Sequence, residues 1–321
     1  MNIDMIEAAA SRMAGYVRRT PFLNAPLLDK AVGRRVFVKA ECLQVTGSFK
    51  ARGGWSAVSA LDPQARARGV IAYSSGNHAQ GVAYAAAAHG APCVILMPSD
   101  APQVKIANTC AYGAEVVLYD RATEDRDALG VRLAAGRGLT LIKPYDDPHV
   151  IAGQGTVGLE TAEQAVEAGI DKAPVFVCCG GGGLSSGIAL ALEARAPGLT
   201  VRTSEPQGFD DMARSLASGR RERNAAASGS ICDAILTPSP GELTFPILSR
   251  LAGPGAVITD DQALQAMALA FTHLRIILEP GGAAALAAAC FSEDLPDTVI
   301  AVATGGNVDP ATFATALDRI A

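Results

Sequence analysis

Short apolar runs of four or five residues alternate along the chain with longer alanine-rich stretches. That alternation predicts strands exchanging with helices, the pattern of a parallel α/β protein. The predicted strands are Val36–Lys39, Val70–Tyr73, Cys93–Met97, Glu115–Leu118, Thr140–Ile142, Val175–Cys178, Val201–Ser204 and Val299–Ala303. Predicted helices include Ala79–Ala88, Val104–Ala111, Arg126–Ala135, Gly158–Ala168 and Leu184–Arg195. Gly90, Gly113 and Gly169 end three of these as C-cap glycines. The units from Val70 to about Tyr145 read as a compact group of four strands, with further units on both sides. The expected organisation is a large discontinuous domain (1–55 and 147–321) carrying a small inserted domain (56–146). The polar, turn-rich stretch Gly219–Gly241 reads as a surface loop leading to a helix near Thr244–Ala252.

Composition narrows the function classes. The 321 residues are 49% hydrophobic and 18% charged, enough apolar material for a substantial core and too much for disorder. A net charge of −5 without a basic block argues against a nucleic-acid partner. Arg220–Arg223, the most basic stretch, reads as a solvated loop. No run approaches the roughly 18 apolar residues needed to cross a bilayer, and the N-terminus lacks the order of a signal peptide. Seven cysteines without C-x-x-C spacing, and four scattered histidines, give no disulfide framework and no zinc cluster. The expectation is a cytoplasmic protein in a reducing compartment.

Five motifs carry candidate chemistry. Lys50, one of six lysines, lies in Gln44-Val-Thr-Gly-Ser-Phe-Lys-Ala-Arg-Gly-Gly54. An amine becomes a carbonyl nucleophile at neutral pH when desolvation or a nearby cation lowers its pKa; Phe49 and Trp55 are candidates for the first, Arg52 or a cofactor for the second. Gly180-Gly181-Gly182-Gly183 joins a predicted strand to a predicted helix, a geometry that turns backbone amides toward a phosphate. The same glycines could belong to a dinucleotide fingerprint, with Glu205 as the ribose-binding acid, or to a tight turn that binds nothing. Ser74-Ser75-Gly76-Asn77-His78 places short polar groups at another helix start, suited to a carboxylate or ring oxygen; His78 can be catalytic or can fix the loop. Thr304-Gly305-Gly306-Asn307 offers a short hydroxyl beside glycines that admit a flat heterocycle. Glu205-Pro-Gln-Gly-Phe-Asp-Asp211 supplies hard oxygen ligands for magnesium or calcium, or forms an acidic turn.

In this order, from Arg18-Arg19-Thr20-Pro21 through Lys50 to Asn307, the motifs resemble the pyridoxal-phosphate enzymes of fold type II. Within that fold the chain is similar to the serine/threonine dehydratase and serine racemase group. The resemblance implies two open, twisted, mostly parallel sheets flanked by helices, as in the tryptophan synthase β chain. It implies that Lys50 links covalently to pyridoxal phosphate and that Gly180, Gly181, Gly182 and Gly183 hold its phosphate. Asn77 would bond the ring hydroxyl and Thr304 the pyridine nitrogen. Ser75 would face the opposite side of the cofactor as a second catalytic group, while Ser74, Ser75, His78 and Arg126 would meet the substrate. A divalent cation (magnesium, or calcium or manganese) would sit on Glu205, Asp211 and the Phe209 carbonyl. The implied activity is β-elimination of threonine or serine to a 2-oxo acid and ammonia, with 3-hydroxyaspartate dehydration or serine racemisation as alternatives. Tyr145 stands where animal serine racemases carry asparagine, which weighs against racemisation. The chain ends soon after Asp318, so control by isoleucine through a C-terminal domain is not expected. A homodimer is the family's usual state. A nicotinamide-dependent oxidoreductase and a non-catalytic binding protein are the competitors from other classes.

Overall fold

The computed structural model describes residues 1–320 apart from Ser75, Pro102 and Arg121, with the side chains of Val104 and Asp127 also left out. Among the described residues ten strands build two sheets: β1 (Phe22–Leu23), β2 (Arg35–Lys39), β3 (Val70–Tyr73), β4 (Cys93–Pro98), β5 (Glu115–Tyr119), β6 (Thr140–Leu141), β7 (Ala173–Cys178), β8 (Leu199–Pro206), β9 (Ala256–Ile258) and β10 (Thr298–Val302). The larger sheet has the order β1-β2-β10-β7-β8-β9, parallel except for β1. The smaller, fully parallel sheet has the order β5-β4-β3-β6. Its four strands all fall between Val70 and Leu141, and the larger sheet draws strands from both flanking segments. Each of the eight predicted strands is present. β1 and β9 escape the sequence pattern because two or three residues show no periodicity.

Continuous apolar runs form these strands because helices cover both faces. Val175, Phe176 and Val177 in β7 are wholly buried, as are Ile300 and Val302 in β10. One face of the larger sheet packs on Pro280–Phe291 and Asp260–Leu269, the other on Pro148–Glu167 and Gly183–Arg195. A further core joins β3 and β4 to Ile3–Met13, Lys50–Ala60 and Asn77–Ala88. Gly90, Gly113 and Gly169 adopt positive φ just beyond their helices, as the capping reading requires.

Two sequence expectations are corrected. The helix placed at Gly158–Ala168 begins ten residues earlier, running Pro148–Glu167 from an Asp147 cap whose side chain accepts from His149 and Val150 amides. Its internal glycines suggest a loop, yet they serve close helix crossings: a Cβ on Gly153 would lie 2.5 Å from the Arg52 carbonyl oxygen. The stretch Gly219–Gly241 is not wholly a surface loop, because Cys232, Ile235 and Ser239 are buried and residues 233–238 wall the main cavity.

Candidate active site

The chemistry-bearing motifs follow the C-terminal ends of parallel strands, where an open α/β sheet gathers its ligands. β2 leads to Lys50, β3 to Ser74–His78, β7 to Gly180–Gly183 and β10 to Thr304. The segments meet around one cavity of about 260 Å³ that lies against Lys50, Ser74, Asn77, His78, Arg126, Gly180–Gly183 and Thr304. Ser75 lies outside the described residues. Glu205, Phe209 and Asp211 do not line the cavity.

Lys50 opens the helix Lys50–Ala60. Its Nζ donates to the Pro144 carbonyl at 2.7 Å and stands 5.1 Å from the Phe49 ring centre. Burial pulls its pKa down to about 8, bringing the free amine within reach of neutral pH. Phe49 thus supports the lysine as expected, but Trp55 and Arg52 do not. Trp55 stacks on Tyr16 on another face of the helix and donates to the Arg12 carbonyl. Arg52 is fully buried in an ion network: it donates to Glu41 at 2.8 Å and to Glu160 at 2.7 Å, and Glu160 also takes Lys39 at 2.5 Å. The network satisfies these charges mutually and anchors the first turn of the lysine's helix.

The tetraglycine segment ends β7 and starts Gly183–Arg195, with Gly182 as N-cap at φ +93°. Cβ atoms on Gly181 or Gly183 would collide with Tyr145, and one on Gly182 would press on Met212 and Thr244. The Gly181 carbonyl is held by the Thr244 hydroxyl (2.6 Å) and the Gly241 amide (3.1 Å). The amides of Gly180, Gly181 and Gly182 find no acceptor among the described residues. Bare amides at the positive end of a helix fit a phosphate.

Asn77 is oriented at both ends. Its Oδ1 accepts from Asn307 Nδ2 (2.7 Å), which also donates to the Thr46 carbonyl, and its Nδ2 donates to Glu279 Oε1 (2.5 Å). One Nδ2 hydrogen remains for a ligand oxygen. Thr304, buried, exchanges a hydrogen bond of 2.9 Å with Cys178 Sγ. With the thiol donating, the Thr304 hydroxyl is available to a ring nitrogen, and burial pushes Cys178 up to about 12, keeping it a thiol. Ser74 Oγ accepts from the Gly76 amide at 3.1 Å and shapes the turn. The His78 ring, buried, faces the Ile142 carbonyl through Nε2 at 3.0 Å. Arg126 lies 4.6 Å over the Tyr73 ring, and Lys105 pairs with Asp233 at 3.4 Å on the cavity wall.

Glu279 is the residue that sequence reasoning missed. It is 7% exposed, lines the cavity and immediately precedes the helix Pro280–Phe291 without a side-chain capping bond, and burial pushes its carboxyl up to about 7. A lone acid in the apolar run Ile276–Ala289 is the signal that marks it.

Glu205 accepts from the amides of Met212 and Ala213, both at 2.8 Å, at the start of Asp211–Ser218. It faces away from the cavity, which removes the ribose-binding role. Asp211 Oδ1 accepts from Asn224, while its buried Oδ2 has no partner among the described residues. Burial lifts both acids, Asp211 to about 6; the Asp211 charge lifts Glu205 further, and Asp210 lifts both. An orphaned oxygen beside a second buried carboxylate fits a hard divalent cation. The described residues contain no cluster of three or more His, Cys, Asp or Glu side chains of metal-binding form.

The class defined by this fold and cavity agrees with comparison to known proteins. A family model described as pyridoxal-phosphate dependent enzyme matches residues 13–305, and the chain belongs to that family. An L-threo-3-hydroxyaspartate ammonia-lyase of Pseudomonas sp is 40% identical over 316 residues, covering 98% of this chain and 97% of that one. A crystal structure of threonine deaminase from T.th. superposes with a TM-score of 0.91 at 43% identity, over 96% of this chain and 99% of that one. Maize serine racemase gives 0.91 at 36% identity, over 99% and 97%.

Proposed function

We propose that this chain is an ammonia-lyase for small β-hydroxy amino acids, with Lys50 moving the Cα proton. The observation that carries the reading is a half-buried lysine amine, depressed to about 8, in one cavity with unpartnered glycine amides. Threonine, serine and 3-hydroxyaspartate, the amino acids in the relatives' names, share a hydroxyl on Cβ. When bound, pyridoxal phosphate would delocalise the electron pair left at Cα. Gly180–Gly183 would hold its phosphate, Asn77 would donate to its ring hydroxyl and Thr304 to its pyridine nitrogen. A neutral hydroxyl from Thr304 would leave that nitrogen unprotonated, which would favour departure of the β-hydroxyl over transamination. Ser74 stands at the substrate carboxylate side and Ser75 is assigned the far face. Lys50→Ala should abolish ammonia release from threonine and serine; retained turnover would refute the assignment.

A second substrate reading, 3-hydroxyaspartate, is favoured by Arg126 and Lys105 on the cavity wall, cations suited to a distal carboxylate. Arg126→Leu should then raise KM for 3-hydroxyaspartate at least about tenfold with threonine little changed, since a charge-assisted bond contributes about 1.5–3 kcal/mol. A divalent cation on Glu205, Asp211 and the Phe209 carbonyl would brace the glycine turn, because Met212 follows Asp211 and packs beneath Gly182. The inserted small domain (56–146), a homodimer and a cytoplasmic location complete the proposal; no helix among the described residues is long and apolar enough to cross a membrane.

A further inference from the structure

We propose that His78 is a positioning residue for Lys50: a neutral imidazole whose Nδ1 lone pair accepts a hydrogen bond from the lysine nitrogen when that nitrogen carries its proton. The inference rests on the reading of Lys50 as the proton-moving group. Ring chemistry fixes the tautomer. Nε2 lies 3.0 Å from the Ile142 carbonyl, which can only accept, so Nε2 holds the hydrogen and Nδ1 is a bare lone pair. That Nδ1 is buried and has no hydrogen-bond partner among the described residues, although the ring lines the cavity. A buried acceptor without a donor costs about 1–3 kcal/mol unless some state of the protein fills it.

Few donors can. A substrate carboxylate would meet the lone pair with its own, so the ring cannot serve the anion; any contact of His78 with a carboxylate falls to its backbone. The departing hydroxyl needs an acid, and burial together with the Lys50 charge holds the ring's pKa down to about 3, leaving it no proton to give. Lys50 remains. His78 and Lys50 are anchored to carbonyls two residues apart, Ile142 and Pro144, a span of about 7 Å along extended chain. The Pro144 carbonyl takes one lysine hydrogen, and on this proposal the imidazole takes another. The amine is thus held between two acceptors, and its protonated form is stabilised against the desolvation that otherwise depresses it. Other titratable groups around the cavity are Cys178, Tyr73, Tyr145, Glu279, Asp233, Lys105 and Arg126. Of these only Cys178 shifts Lys50 appreciably, and its direction opposes burial.

The test uses the full chain stripped of cofactor, with the protonation of Lys50 read by competitive acylation across pH and peptide mass measurement. His78→Gln places a side-chain amide near the Nε2 position and removes the Nδ1 acceptor; His78→Asn places an oxygen near the Nδ1 position. The Lys50 midpoint should fall by about one unit, a tenfold change, in the Gln variant and stay within a few tenths of the parent in the Asn variant. A Gln variant that melts like the parent with an unmoved midpoint would overturn the proposal. So would an Asn variant whose midpoint falls, which keeps the test open should the Gln variant fail to fold. Absence of ammonia release in the parent enzyme would strike the ammonia-lyase reading alone, since the labelling midpoint requires no turnover.

Discussion

At the scale of single residues, Lys50 and Glu279 carry opposite pH signatures. Burial lowers the lysine, so its contribution to stability is lost as pH falls through about 8. Burial raises Glu279, so its contribution is complete below the ordinary glutamate range and is lost as pH rises through about 7. Without cofactor, Glu279→Gln should therefore flatten the decline in thermal stability between pH 5 and pH 8 by about 1–3 kcal/mol, read from melting curves. Gln also preserves the acceptor for Asn77 that Ala would delete, so Glu279→Ala should cost more ammonia-lyase activity than Glu279→Gln. These two residues differ in how far sequence reveals them. Lys50 is legible from its setting beside Phe49 and from the ordered motifs that follow it. Glu279 is marked in sequence only as a lone acid in an apolar run; its role is not, because its partner Asn77 lies 202 positions away and only the fold joins them.

At the scale of elements, the helix Lys50–Ala60 is placed by backbone contact rather than by side-chain bulk. A Cβ on Gly81 would lie 2.5 Å from the Lys50 carbonyl oxygen, and one on Gly54 would lie 2.5 Å from that of Gly81. Gly81→Ala should cost about 1–3 kcal/mol by overpacking and should also lower turnover in the folded fraction, because the shift falls on Lys50 itself. Gly90→Ala is the control: its Cβ meets nothing within 4 Å, so only the positive φ is penalised and turnover should be unchanged. Melting curves and ammonia release measured together separate the two. Arg52→Ala, by leaving Glu41 and part of Glu160 uncompensated, should destabilise by about 3–5 kcal/mol. Strands are open to sequence reading because continuous apolar runs have one outcome in a covered sheet. Glycine-bearing helices are not, since Gly53, Gly54, Gly153 and Gly158 have the composition of turns and declare their role only when a neighbouring helix lies against them.

At the scale of the whole molecule, two mainly parallel sheets present four strand ends to one cavity, and the buried acids Glu205 and Asp211 lie outside it, at the start of the helix that carries Met212. Magnesium at about one hundred times its dissociation constant should stabilise the parent by about 2.7 kcal/mol and Asp211→Ala not at all, read as the shift in melting temperature with and without chelator. The overall architecture follows from the alternating pattern of apolar runs, whereas one wall of the cavity does not: residues 233–238 (Asp-Ala-Ile-Leu-Thr-Pro) sit inside the polar, turn-rich stretch 219–241, whose composition hides their short apolar core, and only tertiary packing brings them to the cavity. The most direct measurement of the central claim is ammonia release by the cofactor-loaded parent and its Lys50→Ala variant, offered threonine, serine and 3-hydroxyaspartate in turn. Release by the parent from at least one of them, with a loss of about 100-fold or more in a variant that still folds, is the predicted result. Equal rates from the two proteins would contradict the assignment of the proton to Lys50.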